Sequence, residues 1–146
     1  FMHPQIETIG AGISETNNVE LGGYRYPTLT VYEDASEEEV YNFIKAIDLS
    51  YELFKDITPV MYRWKLNSAV GTPVDAPIHK GTIKYLKEKN LWSDEDEKWN
   101  NQRIERLNTL LEGWENFLNK NNNLNDEDFK TKWLEERKLL LAKFLK

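Results

Sequence analysis

The chain has 146 residues, 40% of them hydrophobic and 12% aromatic, which is enough apolar material for the core of one domain and too much for a disordered segment. A formal charge of -6, with an isoelectric point near 5.0 and a mean hydropathy of -0.68, points to a water-soluble chain. It argues against nucleic acid or an anionic membrane as partner, because each phosphate contact needs a clustered Lys or Arg. The absence of cysteine excludes disulfides, cysteine-ligated zinc and thiol catalysis, and no apolar run reaches the roughly 20 residues a membrane-spanning helix requires.

The opening Phe1-Met2-His3-Pro4 shows neither the basic nor the apolar region of a secretory signal. That leaves two readings, a cytoplasmic protein or a mature or truncated fragment whose targeting segment lay upstream. Residues 1 to 26 are rich in Gly, Asn, Thr and Glu and read as loop with one short strand at Ile6 to Ile9. Tyr26 to Tyr32 then alternates with period two, placing Leu29 and Val31 on one face of the best strand in the chain.

Ser36 followed by Glu39 is a capping-box signature, and Val40, Phe43, Ile44, Ile47, Tyr51 and Phe54 recur at helical spacing, predicting one helix to about Lys55. A short helix over Val60 to Ala69 is closed by Gly71-Thr72-Pro73. Another runs over Thr82 to Lys89 with Ile83, Leu86 and Tyr85 inward and Asn90 as its left-handed stop. Ser93 begins the longest helix, whose first turn carries Asp94 to Glu97 and whose apolar stripe is Trp99, Leu107, Leu110, Leu111, Trp114 and Phe117. After a polar break at 120 to 124, Asn125 opens a last helix with Phe129, Trp133, Leu140, Leu141 and Phe144 on its buried side.

This predicts a chain that is mostly α with a small β part. A lone strand cannot satisfy its own edges, so its partner is either residues 4 to 9 or a sheet belonging to a larger parent protein. The expected division is 1–92, with a helical extension over 93–146.

The two histidines, His3 and His79, lie in no metal-binding spacing, so no metal or other cofactor is expected. His79 near a helix start either binds an anion or caps locally. The acidic runs Glu37 to Glu39 and Asp94 to Glu97 sit where the helix dipole already accounts for them. Tyr24-Arg25-Tyr26 is the candidate ligand-binding group: an Arg between two aromatic rings beside a Gly pair can clamp a carboxylate, although the two tyrosines can equally pack one strand face. Tyr62-Arg63-Trp64 carries the same ambiguity. No Ser occupies a nucleophile elbow and no catalytic triad follows from spacing, so an enzyme is not expected.

The stretch Pro73-Val74-Asp75-Ala76-Pro77-Ile78-His79-Lys80-Gly81-Thr82-Ile83-Lys84-Tyr85-Leu86-Lys87-Glu88-Lys89-Asn90-Leu91-Trp92 resembles the closing segment of TAXI-family solute-binding proteins. In that family a proline-containing loop leads to His-x-Gly and a short helix with Tyr and Glu-Lys. The family's usual His-Pro-Gly-Ala is here His79-Lys80-Gly81-Thr82. Upstream, Val40-Tyr41-Asn42-Phe43-Ile44-Lys45-Ala46-Ile47 is similar to the family's valine-tyrosine, lysine-alanine helix, and residues from about 20 to 92 take part in the match.

The resemblance implies the C-terminal portion of a type II, two-lobed periplasmic-binding-protein fold, located in the periplasm or otherwise outside the cytoplasm. It implies capture of a small organic anion, such as an amino acid or dicarboxylate, and delivery to the membrane subunits of a TRAP transporter. Family members are normally about twice this long, so the ligand cleft of this chain is expected to be incomplete. The competing reading is a helical protein-protein interaction module without solute binding, whose exposed apolar helix faces would form a homodimer or dock another protein.

Overall fold

The computed structural model describes residues 3–23, 28–74 and 76–144. The chain is mostly helical with one two-stranded antiparallel sheet, and it divides into two compact units, Phe1–Glu97 and Lys98–Lys146.

In the first unit, β1 (His3–Glu7) pairs with β2 (Val19–Gly23), His3 opposite Gly23 and Glu7 opposite Val19. The connection is narrowed by backbone pairing of Gly10 with Ile13 and of Ser14 with Asn17. Gly12 supplies the left-handed residue at φ +76°, and the Asn17 side-chain amide donates to its carbonyl at 2.6 Å. The sheet buries little, since Ile6 is 62% and Leu21 52% exposed.

Two expectations are corrected here. The short strand read at Ile6 to Ile9 begins and ends earlier and takes its partner from Val19–Gly23, a Gly-ending run that reads as loop. The run from Tyr26 to Tyr32, the best strand by pattern, starts on residues outside the described ones and forms no strand over Thr28–Tyr32, where Leu29, Val31 and Tyr32 are 53%, 50% and 87% exposed. Alternation makes a strand only where a partner pairs with it and one face is buried; Thr28–Tyr32 pairs with no described strand and its apolar side chains stay exposed.

Ser36 caps α1 (Glu37–Leu49) through its hydroxyl, which accepts from the Glu39 N–H at 3.4 Å, and three glutamates fill the positive first turn. The predicted single helix divides at Ser50 into α1 and the one-turn α2 (Tyr51–Phe54). The expected helix over Val60 to Ala69 also divides, into a 3₁₀ turn at Met61–Trp64 and the short α3 (Leu66–Ala69), because Lys65 takes an extended ψ of 135°.

The next helix, α4 (Lys80–Glu88), starts two residues before the predicted position because His79 caps it: Nδ1 accepts from the Gly81 N–H at 3.1 Å. Gly81 is buried against α1, and a Cβ there would collide with the Glu37 carbonyl oxygen and the Tyr41 backbone nitrogen. This close approach seats Tyr85 (1% exposed) and Leu86 (0%) beside Leu66 in the core, with Tyr41, Ile44, Val70 and Trp92 packed around them. Full burial of such a side chain contributes about 1.5–3 kcal/mol. The helix ends as read. Asn90 is left-handed at φ +57°, while the Leu91 N–H bonds the Leu86 carbonyl at 2.8 Å and the Asn90 N–H that of Lys87 at 3.1 Å.

The longest helix, α5 (Asp94–Lys120), follows Ser93 as predicted. In the second unit it packs on α6 (Asp126–Leu141), whose cap Asn125 accepts from the N–H groups of Glu127 and Asp128 at 3.1 and 3.0 Å. Trp114, Phe117, Phe129 and Trp133 form the aromatic centre, with Trp114 and Trp133 4.7 Å apart between ring centroids and Phe117 and Phe129 5.1 Å apart. Gly113 lies under Leu140. The predicted stripe of α5 is therefore two faces: Phe117 is buried in the cluster, whereas Leu107 and Leu111 are 41% and 57% exposed.

Candidate functional site

The polar side chains of the first unit concentrate where the end of α1 meets the end of α4. Helical spacing puts Tyr41, Lys45 and Asp48 on successive turns of α1, facing Tyr85 and Glu88 of α4 and Lys89 at its C-terminal cap. Tyr41 donates its hydroxyl hydrogen to Glu88, and Lys45 donates to the Tyr41 oxygen at 3.1 Å. One turn on, Tyr85 donates to Asp48 Oδ2 at 2.7 Å, and Lys89 Nζ stands 3.1 Å from the same oxygen and 5.5 Å from the Tyr85 ring centroid. Burial, then the bond to Asp48, raises the pKa of the Tyr85 phenol, and the Lys89 ammonium is also held charged to higher pH, chiefly by Asp48.

Beside this pair opens a cleft of about 320 Å³ lined by Asp48, Lys65, Leu66, Asn67, Lys89 and Leu91. Four segments contribute: the end of α1, the extended Lys65, the start of α3 and the stop of α4. Leu66 and Leu91 give it apolar walls, and Lys65 makes no ion pair among the described residues.

The Tyr24-Arg25-Tyr26 group falls outside the described residues, as does Asp75 of the proline loop. Arg63, in the other aromatic-flanked arginine motif, is occupied structurally: it pairs with Glu7 of β1 and lies over the Tyr62 ring, 5.6 Å from its centroid. That pairing lowers the Glu7 pKa. His79 acts as a cap, and its Nε2 is buried without a hydrogen-bond partner among the described residues.

The acidic run at Asp94 to Glu97 divides its work. Asp96 Oδ2 accepts from the Ser93 N–H at 3.0 Å and the Ser93 hydroxyl at 2.7 Å, while Oδ1 accepts from the Thr72 N–H at 3.2 Å and the Thr72 hydroxyl. These four donors, Thr72 foremost, pull the Asp96 carboxyl down to about 2. Glu97 accepts from the Trp92 indole at 2.7 Å and pairs with Lys87 at 2.9 Å. Both residues thus tie the segment from Gly71 to Trp92 to the start of α5.

A folded carboxyl lowered from 3.8 to about 2 contributes stability that is complete above the unfolded value and is lost as pH falls through that interval. Asp96→Asn is therefore expected to destabilise the chain by about 1 kcal/mol at neutral pH, the scale of one helix cap. It should also flatten the acid limb of a urea-stability profile between roughly pH 4 and 2. An unchanged acid limb in the variant would mean that Asp96 does not carry this titration.

Among the described residues no group of three or more His, Asp or Glu side chains is placed to hold a metal ion, and no helix is long and apolar enough to cross a membrane. Sequence reading missed Asp48, Lys65, Asn67, Lys89 and Leu91, because residues drawn from separate segments leave no local spacing signal. Comparison with known proteins finds no matching family model, no matching curated protein and no matching solved structure.

Proposed function

We propose that this chain is the C-terminal part of an extracytoplasmic solute-binding protein of the TAXI type, which captures a small organic anion and hands it to TRAP membrane subunits; its work is binding and not catalysis. The observation that carries the reading is the α1–α4 junction. The two stretches that resemble the family, Val40 to Ile47 and Pro73 to Trp92, are distant in sequence yet lie against each other, and the motif's own residues make the join. His79 caps α4, and Gly81 lets it approach the backbone of α1. The resemblance thus covers one packed structural element and not two unrelated strings.

The two-lobed parent fold also accounts for the exposed Leu29-Thr30-Val31-Tyr32 run. In this reading it is a strand of a lobe whose sheet is completed by another segment, which is why its alternating pattern has no sheet among the described residues.

The test is a thermal-shift screen of this chain and of the full-length parent implied by the reading, against amino acids, dicarboxylates and oxo-acids. A ligand at 100 times its Kd stabilises the folded state by about 2.7 kcal/mol, enough to raise the melting temperature by several degrees. Stabilisation of the parent alone means the cleft is divided between its parts. Stabilisation of both places the main contacts in these residues, and no shift in either rejects the receptor reading.

One observation favours a second reading, a helical interaction module. Ile104, Leu107 and Leu111 of α5 are 39%, 41% and 57% exposed and follow a three-four spacing, the pattern of a helix face that packs on another helix. A homodimer through this face predicts a sedimentation coefficient that rises with protein concentration and a loss of that rise in Leu111→Glu; a monomer at all concentrations removes the homodimer.

A further inference from the structure

The cleft beside the α1–α4 junction combines features that a ligand site needs and that packing alone does not explain. Lys89 is held in place before any ligand arrives, its ammonium 3.1 Å from Asp48 Oδ2 and 5.5 Å from the Tyr85 ring centroid, while the Tyr85 hydroxyl donates to the same oxygen at 2.7 Å. A cation fixed in this way loses little side-chain freedom on meeting an anion. Lys65, which also lines the cleft, has no ion-pair partner among the described residues, and the Asn67 side chain adds a neutral amide donor.

The charge balance selects the ligand. Two lysines against one aspartate leave a single net positive charge, which one carboxylate satisfies and two over-fill. The walls contributed by Leu66 and Leu91 have no polar side-chain atoms, so the part of the ligand away from its carboxylate is apolar. The space, about 320 Å³, is a shallow depression open to solvent, so it suits a small ligand held chiefly at one end.

We propose that this cleft binds a small monocarboxylate with a short apolar tail, its carboxylate held by Lys65 and Lys89 and its tail against Leu66 and Leu91. The proposal deepens the receptor reading and rests on it: it names the site and the subclass of organic anion.

The test is a titration of the 15N-labelled chain with isovalerate, followed by amide chemical shifts, with succinate as the dianionic comparison. Isovalerate is expected to give saturable shifts at the Asn67 and Leu91 amides. Lys65→Gln, at an exposed position with no ion pair to lose, should weaken binding by about fivefold or more, and succinate should bind more weakly than isovalerate. Lys89→Gln should weaken it further, and its folded state is checked by the unchanged dispersion of the remaining amides.

Isovalerate shifts that spare Asn67 and Leu91, equal affinity in Lys65→Gln, or tighter binding of succinate each overturn the cleft. The receptor reading survives any of these if the melting screen still returns an anion that stabilises the full-length protein. An empty screen there overturns the receptor reading itself.

Discussion

Gly81→Ala is expected to destabilise the first unit by about 3 kcal/mol, at the upper end of what overpacking a tight contact costs. The effect runs against local propensity, since alanine is the better helix former by roughly 1 kcal/mol. It arises because the atoms in the way, the Glu37 carbonyl oxygen and the Tyr41 backbone nitrogen, belong to the first turns of α1 and cannot swing aside. Relieving the collision means moving α4 off α1, which uncovers Tyr85 and Leu86. Gly113 supplies the contrast: it is also helical and buried, but an added Cβ there meets the tip of the Leu140 side chain, which can change rotamer. Gly113→Ala should therefore be near neutral. Urea unfolding of both variants by circular dichroism measures the difference, and equal stabilities would show that α4 does not need its close approach to α1.

Phe117→Ala is expected to cost the second unit about 3–5 kcal/mol, the range for deleting a buried aromatic ring. Phe117 is 6% exposed and stands at the middle of the cluster, with ring centroids 5.1 Å from Phe129, 5.3 Å from Trp133 and 6.3 Å from Trp114. Removing it leaves a cavity lined by three rings and forfeits one stacked, one tilted and one edge-on ring contact, each worth about 0.5–1.5 kcal/mol beyond the area buried. Phe117→Leu keeps most of the volume and should recover more than half of the loss. Thermal unfolding followed by tryptophan fluorescence reads the site directly because Trp114 and Trp133 lie in the cluster. A loss below about 1 kcal/mol would mean that α5 and α6 are held together chiefly by other contacts.

The candidate site divides along the same line between what is local and what is not. His79-x-Gly81 was legible as a motif because its residues are adjacent, and both act locally, one as a cap and one as an absence of side chain. The cleft was not legible. Asp48, Lys65 and Lys89 each look like an ordinary solvated charge in sequence, and only the crossing of α1 and α4, with Lys65 extended between two short helical turns, assembles them.

By itself the sequence determined the mostly helical class, the starts of α1, α5 and α6, and the stop of α4 at Asn90. Those features depend on a few neighbouring residues: Ser36, Ser93 and Asn125 each offer a side-chain oxygen to backbone N–H groups within three positions, and Asn90 tolerates the left-handed conformation. Periodicity also named Tyr85 and Leu86 as inward-facing. What only the tertiary structure decided is everything that needs a distant partner. Strand formation went to Val19–Gly23, which has an edge to pair with, and not to Thr28–Tyr32, which has the better pattern. On α5 the hydrophobic stripe was divided between a covered and an uncovered face by the position of α6, because periodicity records which residues share a side of a helix and not which of those sides a neighbour reaches.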